Sequence, residues 1–252
     1  MIRRLAAARY VTPLREGGSL PAVCETDDGR LFVVKLRGAG QGTRALIAEL
    51  VAGELARAFG LRVPEIALVD VDAQLASSER DPEIQDLLRA SAGVNLGLAF
   101  LPEALMFDPA ADGPVDAELA ARLVAFDAFV MNVDRTPRNP NLLVHRAAIW
   151  LIDHGASMIW HHAWDGGTAG ADRAVSALRH HVLLPWAEPL RRDPAAWAAE
   201  LGRSLGDDVI AATVGAIPTD WLVSPATQES YVAYLAARRD AAGAFLPALW
   251  EK

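Results

Sequence analysis

The chain has 252 residues, 52% hydrophobic and 22% charged, a composition that supports a sizeable packed core and excludes a mainly disordered protein. Lys plus Arg number 24 against 32 Asp plus Glu, and a net charge of -8 opposes direct binding of nucleic acid. A single cysteine, Cys24, excludes an internal disulfide, and no apolar run approaches the ~20 residues of a spanning helix, so a cytoplasmic protein away from membranes is expected.

Arg3, Arg4, Arg9 and Arg15 open the chain and read as a solvated strand edge rather than a binding strip. From about Val11 to Leu36 the pattern is strand, turn, strand. Gly17 and Gly18 make one reversal, Asp28-Gly29 is a hairpin signal, and LFVVKL is apolar and β-branched, which places Lys35 inside a strand. Cys24, in PAVCET, suits a small buried hydrophobe. Gly38, Gly40 and Gly42 form a loop, after which Thr43 can cap a helix from about Arg44 to Phe59, closed by Gly60 and carrying Glu49.

A strand is expected between Pro64 and Val71, a polar stretch with a helical pattern from Ala76 to Ser91, and a buried strand from Val94 to Leu101 that ends at Pro102. The segment from Pro102 to Pro114 is the expected boundary, dividing the chain into 1–103 and 104–252. Beyond it Asp116 is a plausible N-cap, and Leu119, Leu123, Phe126 and Val130 recur at helical spacing. A hairpin-like pair of apolar strands follows, and the remainder reads as helices over Arg173 to His181, Trp197 to Ser204, Asp207 to Val214 and Glu229 to Leu246.

The densest information lies in AFVMNVDRTPRNPNLLVHRAAIWLIDHGA, residues 128–156. Two acids and several asparagines stand there at the ends of regular elements, as in magnesium-nucleotide phosphotransfer sites. Such chemistry needs positioning more than covalent help: a cation on the phosphates, hard oxygen ligands for a metal, and a carboxylate at the attacking hydroxyl. Lys35 supplies the cation and Glu49 a partner to hold it. Asp134 can orient the hydroxyl and accept its proton, Asn139 lies five residues on, and Asp153 ends a strand where it can bind magnesium.

The order of Lys on a strand, Glu on a helix, N-x-D-R-x-x-x-N-x-N and then I-D-H-G is similar to the HipA-like kinases of the protein-kinase-like superfamily. VVKLRGAGQGTRALIAELVAGELARAFGLRVPE forms the second block of the resemblance, which covers roughly Leu31 to Gly155. It implies a two-lobed α+β fold, with a small sheet-containing N-terminal lobe and a mainly helical C-terminal lobe enclosing ATP and Mg2+. It makes Lys35 the phosphate-binding lysine, Glu49 its ion-pair partner, Asp134 the catalytic aspartate, and Asn139 and Asp153 the metal ligands, with Asn141 as the alternative asparagine. Arg135 would shape the loop or contact phosphate.

The resemblance alone puts adenine against the connector at Phe100, Leu101 and Glu103. No G-x-G-x-x-G precedes Lys35, so the phosphate cover is either Gly17-Gly18-Ser19 or Gly38, Gly40 and Gly42. The expected acceptor is a hydroxyl, on Ser or Thr of a protein; a small-molecule or lipid-hydroxyl kinase and a nucleotide-binding pseudokinase scaffold are the rivals. His161-His162 and His180-His181 lack the spacing of a closed zinc site, and His154 reads as a contact that tunes the metal loop. The tryptophans read as packing residues, with Trp160 and Trp164 placed to line an acceptor groove.

Overall fold

The computed structural model describes residues 2–14, 20–40, 42–111, 113 and 115–251. The reversal expected at Gly17-Gly18, the Gly17-Gly18-Ser19 alternative and Arg15 therefore lie outside the described residues, as does Pro114.

Five strands close into a barrel in the order β1-β2-β3-β5-β4. They are β1 (Arg3–Pro13), β2 (Ala22–Thr26), β3 (Leu31–Lys35), β4 (Ile66–Val71) and β5 (Gly93–Ala99). Every neighbouring pair is antiparallel except β1 with β4, which run parallel and seal the barrel. Closure leaves no open edge, so the expected solvated strand edge is instead an outward barrel face. There Arg3 pairs with Asp28 and Glu65, Arg4 with Asp70, and Arg9 with Glu25.

Alternation along the strands turns Leu5, Tyr10, Cys24, Phe32, Val34 and Val69 into one buried cluster. Gly97 belongs where the barrel is tightest, since a Cβ there would meet Val69 Cγ2 at 2.7 Å and Phe32 Cδ1 at 3.2 Å. Burial pushes the Cys24 thiol up to about 11, which makes it a packing group rather than a nucleophile.

Helix α1 (Thr43–Ala58) packs outside the barrel, and its buried residues join Ile66, Leu96 and Leu98 to the core of the helical part. Thr43 does not cap it. Gly42 holds the N-cap position, and the Thr43 hydroxyl donates to the Trp221 carbonyl at 2.9 Å. Helix α2 (Pro82–Ala90) lies between β4 and β5 in sequence, capped by Asp81 through the Glu83 N–H.

The second part is built on α3 (Ala117–Val130), a helix apolar on nearly every side and therefore central to its core. Asp116 caps it as expected, accepting from the Leu119 N–H at 2.7 Å, and Met131 in the left-handed region at φ 53° ends it. A three-stranded sheet of β6 (Leu105–Met106), β7 (Leu142–His145) and β8 (Ala148–Leu151) carries the expected hairpin. Then come α4 (Glu188–Arg192), α5 (Pro194–Ser204), α6 (Asp207–Val214), α7 (Gln228–Asp240) and α8 (Ala242–Phe245). The helix expected over 173–181 is only a 3-10 turn at Ser176–His180, and the one expected over 229–246 is broken at Ala241. The arrangement is the expected two-part α+β one, with the sheet-rich part first and helices dominating the second.

Candidate active site

Lys35 stands where the two parts meet. It ends β3, its side chain is 11% exposed, and Nζ donates to Glu49 Oε2 at 2.6 Å and to Asp153 Oδ1 at 2.5 Å. The two carboxylates differ in freedom. Glu49, in mid-α1, is 0% exposed, whereas the Asp153 side chain, in the turn after β8, is 47% exposed.

Glu49 is held on both oxygens, since His154 Nδ1 lies 3.4 Å from Oε1. Burial alone would raise its pKa, but Lys35 and then His154 hold the carboxyl below the usual carboxylate range. Burial opposes the charge on Lys35 too, and the Glu49 and Asp153 carboxylates override it, keeping the ammonium above its ordinary value.

A second cluster forms at the loop after α3. Thr136 and Asn139 exchange backbone hydrogen bonds at 3.0 and 3.1 Å, making a tight turn at Pro137-Arg138. Asp134 Oδ2 accepts from Asn139 Nδ2 at 2.8 Å and from Asn141 Nδ2 at 3.3 Å. Asn139 is exposed and Asn141 is buried. The Asn141 carbonyl accepts from the Ile152 N–H at 3.1 Å, which stitches the Asp134 loop to the residue before Asp153. Asn139 and Asn141 are thus both hydrogen-bonded to Asp134, and Asn141 to the chain neighbour of Asp153.

Beneath this loop Asp127, fully buried on α3, acts as a hub. It accepts from Arg135 Nε at 2.6 Å, His181 Nε2 at 2.9 Å and Asn132 Nδ2 at 3.3 Å. Burial would raise its pKa, yet Arg135 and His181 hold it down at about 2. The Leu183 N–H donates to His181 Nδ1 at 3.0 Å, so a neutral ring carries its proton on Nε2 and donates to Asp127. Burial pushes the His181 pKa down, consistent with that neutral form. Arg135, 1% exposed, also donates from Nη1 to the Asn141 carbonyl.

Sequence reasoning missed Asp127, His181 and Arg238. An acid inside the apolar helical run LVAFDAFV was a usable signal; the 54-residue separation from His181 was not. Arg238 of α7 is 0% exposed and donates to the carbonyls of Ala128 and Phe129, at the end of α3, and of Ala171 and Arg173.

Elsewhere the expected residues are more dispersed. The Gly38 N–H donates to Ser91 Oγ at 3.1 Å and the Gly42 N–H to the Ala39 carbonyl at 3.0 Å, while Gly40 and Gly42 sit at φ 51° and 64°. The Phe100 N–H donates to the Leu31 carbonyl at 2.9 Å, and Leu101 and Glu103 continue into the connector, Glu103 at φ 62°. Trp160 and Trp164 line a cavity of about 550 Å³ with Met131 and Tyr234. Among the described residues no three His, Cys, Asp or Glu side chains are grouped to hold a metal.

A family model described as HipA-like kinase matches residues 8–240 of this chain. Among solved structures, the Helicobacter pylori proinflammatory kinase CtkA is similar with a TM-score of 0.58 and 12% identity, over 96% of this chain and 97% of that one. The Golgi casein kinase with Mn and ADP bound gives a TM-score of 0.52 and 11% identity, over 99% of this chain and 73% of that one. A second structure of the Golgi casein kinase gives 0.51 and 12%, over 97% and 73%. At such identities the likeness is one of fold, a two-lobed protein-kinase-like one. A comparison with curated proteins finds no match.

Proposed function

This chain belongs to the HipA-like kinase family, and from that premise we propose that it binds ATP and magnesium and transfers the γ-phosphoryl group to a Ser or Thr hydroxyl of a protein. The observation that carries the reading is the convergence of Lys35, Glu49 and Asp153 from β3, α1 and the turn after β8, with Lys35 and Asp153 118 residues apart. A buried lysine fixed by a buried acid and shared with a half-exposed one is a preorganised cation.

The donor set fits a hydrated divalent cation: Asp153 and an asparagine offer hard oxygen atoms, and Asp153 is exposed enough to exchange its lysine contact. When bound, the cation screens the phosphate oxygens. Lys35, kept in place by Glu49, adds a second positive charge to them. Asp134 orients the acceptor hydroxyl and takes its proton as the new O–P bond forms and the bond to the ADP oxygen breaks.

We assign the metal to Asn139, exposed above the loop, and give buried Asn141 the task of holding Asp134. Arg135, enclosed with Asp127, shapes the loop and does not reach phosphate. Adenine contacts fall to Leu101 and Glu103, because the Phe100 N–H is bonded to Leu31. Two of the three amides of Gly38, Gly40 and Gly42 are also bonded within the protein, so that loop borders the phosphates and does not cradle them. The lobes are taken as 1–103 and 104–252, the break falling between β5 and β6.

The test is nucleotide binding and transfer of label from γ-labelled ATP with magnesium, for wild type, Asp134→Ala and Asp153→Ala. Wild type should bind and transfer; each variant should lose ~10²-fold or more in transfer, with Asp134→Ala still binding nucleotide. A wild type that neither binds nor transfers, with variants indistinguishable from it, ends the kinase reading.

A further inference from the structure

A groove of about 430 Å³ runs beside the Asp134 loop, with Pro137, Arg179, His180, Val182, Arg191 and Trp250 among its lining. Its floor is bonded to that loop: the Val182 N–H donates to the Arg135 carbonyl at 3.0 Å, and neighbouring His181 is the partner of Asp127. The groove therefore shares a wall with the Asp134 loop, through Pro137 and the Val182–Arg135 bond.

The rim is cationic in an otherwise acidic molecule. Arg179 and Arg191 are exposed, as is Arg138 next to Pro137. Among the described residues none of these three has a carboxylate within ion-pair distance, whereas Arg3, Arg4 and Arg9 on the barrel are all matched. The groove's acid, Glu188, is itself held by Arg192 at 3.0 Å. Charges farther than the ~8 Å screening length count little at physiological salt, so these local arginines outweigh the distant net charge of -8 for a ligand in the groove. A long polyanion would extend past the groove onto the acidic surface. A short acidic peptide would not, and Pro137, Val182 and Trp250 give its backbone an apolar bed.

We propose that this groove docks an acidic polypeptide segment, with Asp or Glu side chains against Arg179 and Arg191. Resting on the kinase reading, the segment belongs to the acceptor and flanks the hydroxyl presented to Asp134. The probes are three fluorescein-labelled peptides with one central Ser and flanks of Glu, Gln or Lys. Binding is read by anisotropy with wild type, Arg179→Glu/Arg191→Glu and the milder Arg179→Gln/Arg191→Gln, each checked for folding by circular dichroism.

Wild type should bind the Glu peptide ~10-fold tighter than the Gln peptide, less so in high salt, and both double variants should lose that preference. A wild type that favours Gln or Lys flanks, or a folded double variant that keeps the Glu preference, overturns the proposal. So does an arginine-dependent preference for an RNA 20-mer or for phosphatidylserine vesicles over the Glu peptide. Because binding is read without turnover, a chain that binds the Glu peptide yet neither binds ATP nor transfers label keeps the groove and loses the kinase reading.

Discussion

Lys35 has two carboxylate partners, and their unlike burial separates stability from activity. Removing buried Glu49 leaves a nearly buried ammonium with one partner fewer, so Glu49→Ala should cost ~3 kcal/mol in urea unfolding. Asp153 is half exposed and its pair is worth little to the fold, so Asp153→Ala should change stability by less than ~1 kcal/mol while abolishing transfer. Equal costs in the two variants would show that burial does not divide their roles. A different residue contributes to the response to acid. Burial, with His162 and Arg44 nearby, pushes the His161 imidazole down to about 3 from an ordinary 6.5. The folded state then binds fewer protons than the unfolded one below 6.5, so stability falls as pH drops, by ~2 kcal/mol at pH 5. His161→Gln should remove that much of the difference between urea unfolding at pH 7.5 and pH 5; an unchanged difference would clear His161. Asp127, held at about 2, acts later: its contribution is present above the usual 3.8 and lost as pH falls toward 2.

At the scale of elements, α1 is gripped from both sides. Its Thr43 hydroxyl donates to the Trp221 carbonyl, the Trp221 indole N–H donates to the Val94 carbonyl of β5 at 3.1 Å, and Arg37 pairs with Asp220. Trp221, 0% exposed, thus joins the helical lobe to the barrel and to the helix bearing Glu49. Trp221→Ala should cost ~3–5 kcal/mol, and Thr43→Val only ~1, by urea unfolding. Comparable small losses in both would mean that the lobes are held elsewhere. The helix itself was legible: its glycines, period and closing Gly60 are local signals. That Thr43 would serve Trp221 instead of its own helix was not, because the partner lies 178 residues away. The turn at 173–181 failed for a related reason. Its apolar spacing resembles a helix, but the Ala171 and Arg173 carbonyls are taken by Arg238, and tertiary bonds set the backbone where local propensity is weak.

For the whole molecule, the proposed site draws residues from both lobes, so nucleotide bound there would stabilise their joined state. ATP with magnesium at ~100 times its Kd should add ~2.7 kcal/mol, a rise of about 5–10 °C in Tm, and Asp153→Ala should erase most of it. A nucleotide shift without divalent cation equal to that with it would remove the metal from the account. No helix among the described residues is long and apolar enough to cross a membrane, as the hydropathy of the chain leads one to expect. By itself the sequence determined the α+β class, the hairpins at Asp28-Gly29 and β7-β8, the cap at Asp116, and the identity of Lys35, Glu49, Asp134 and Asp153 as candidate site groups. The α+β class rests on the resemblance that those motifs carry; the others rest on turn chemistry, periodicity or motif spacing, which act over a few residues. Only the tertiary structure decided that the barrel closes through a parallel β1-β4 pair, that Glu49 is buried and Asp153 half exposed, and that Asp127 binds His181 beneath the Asp134 loop. Those facts depend on chain segments tens to more than a hundred residues apart, whose meeting is settled by shared burial and hydrogen bonding rather than by any local pattern.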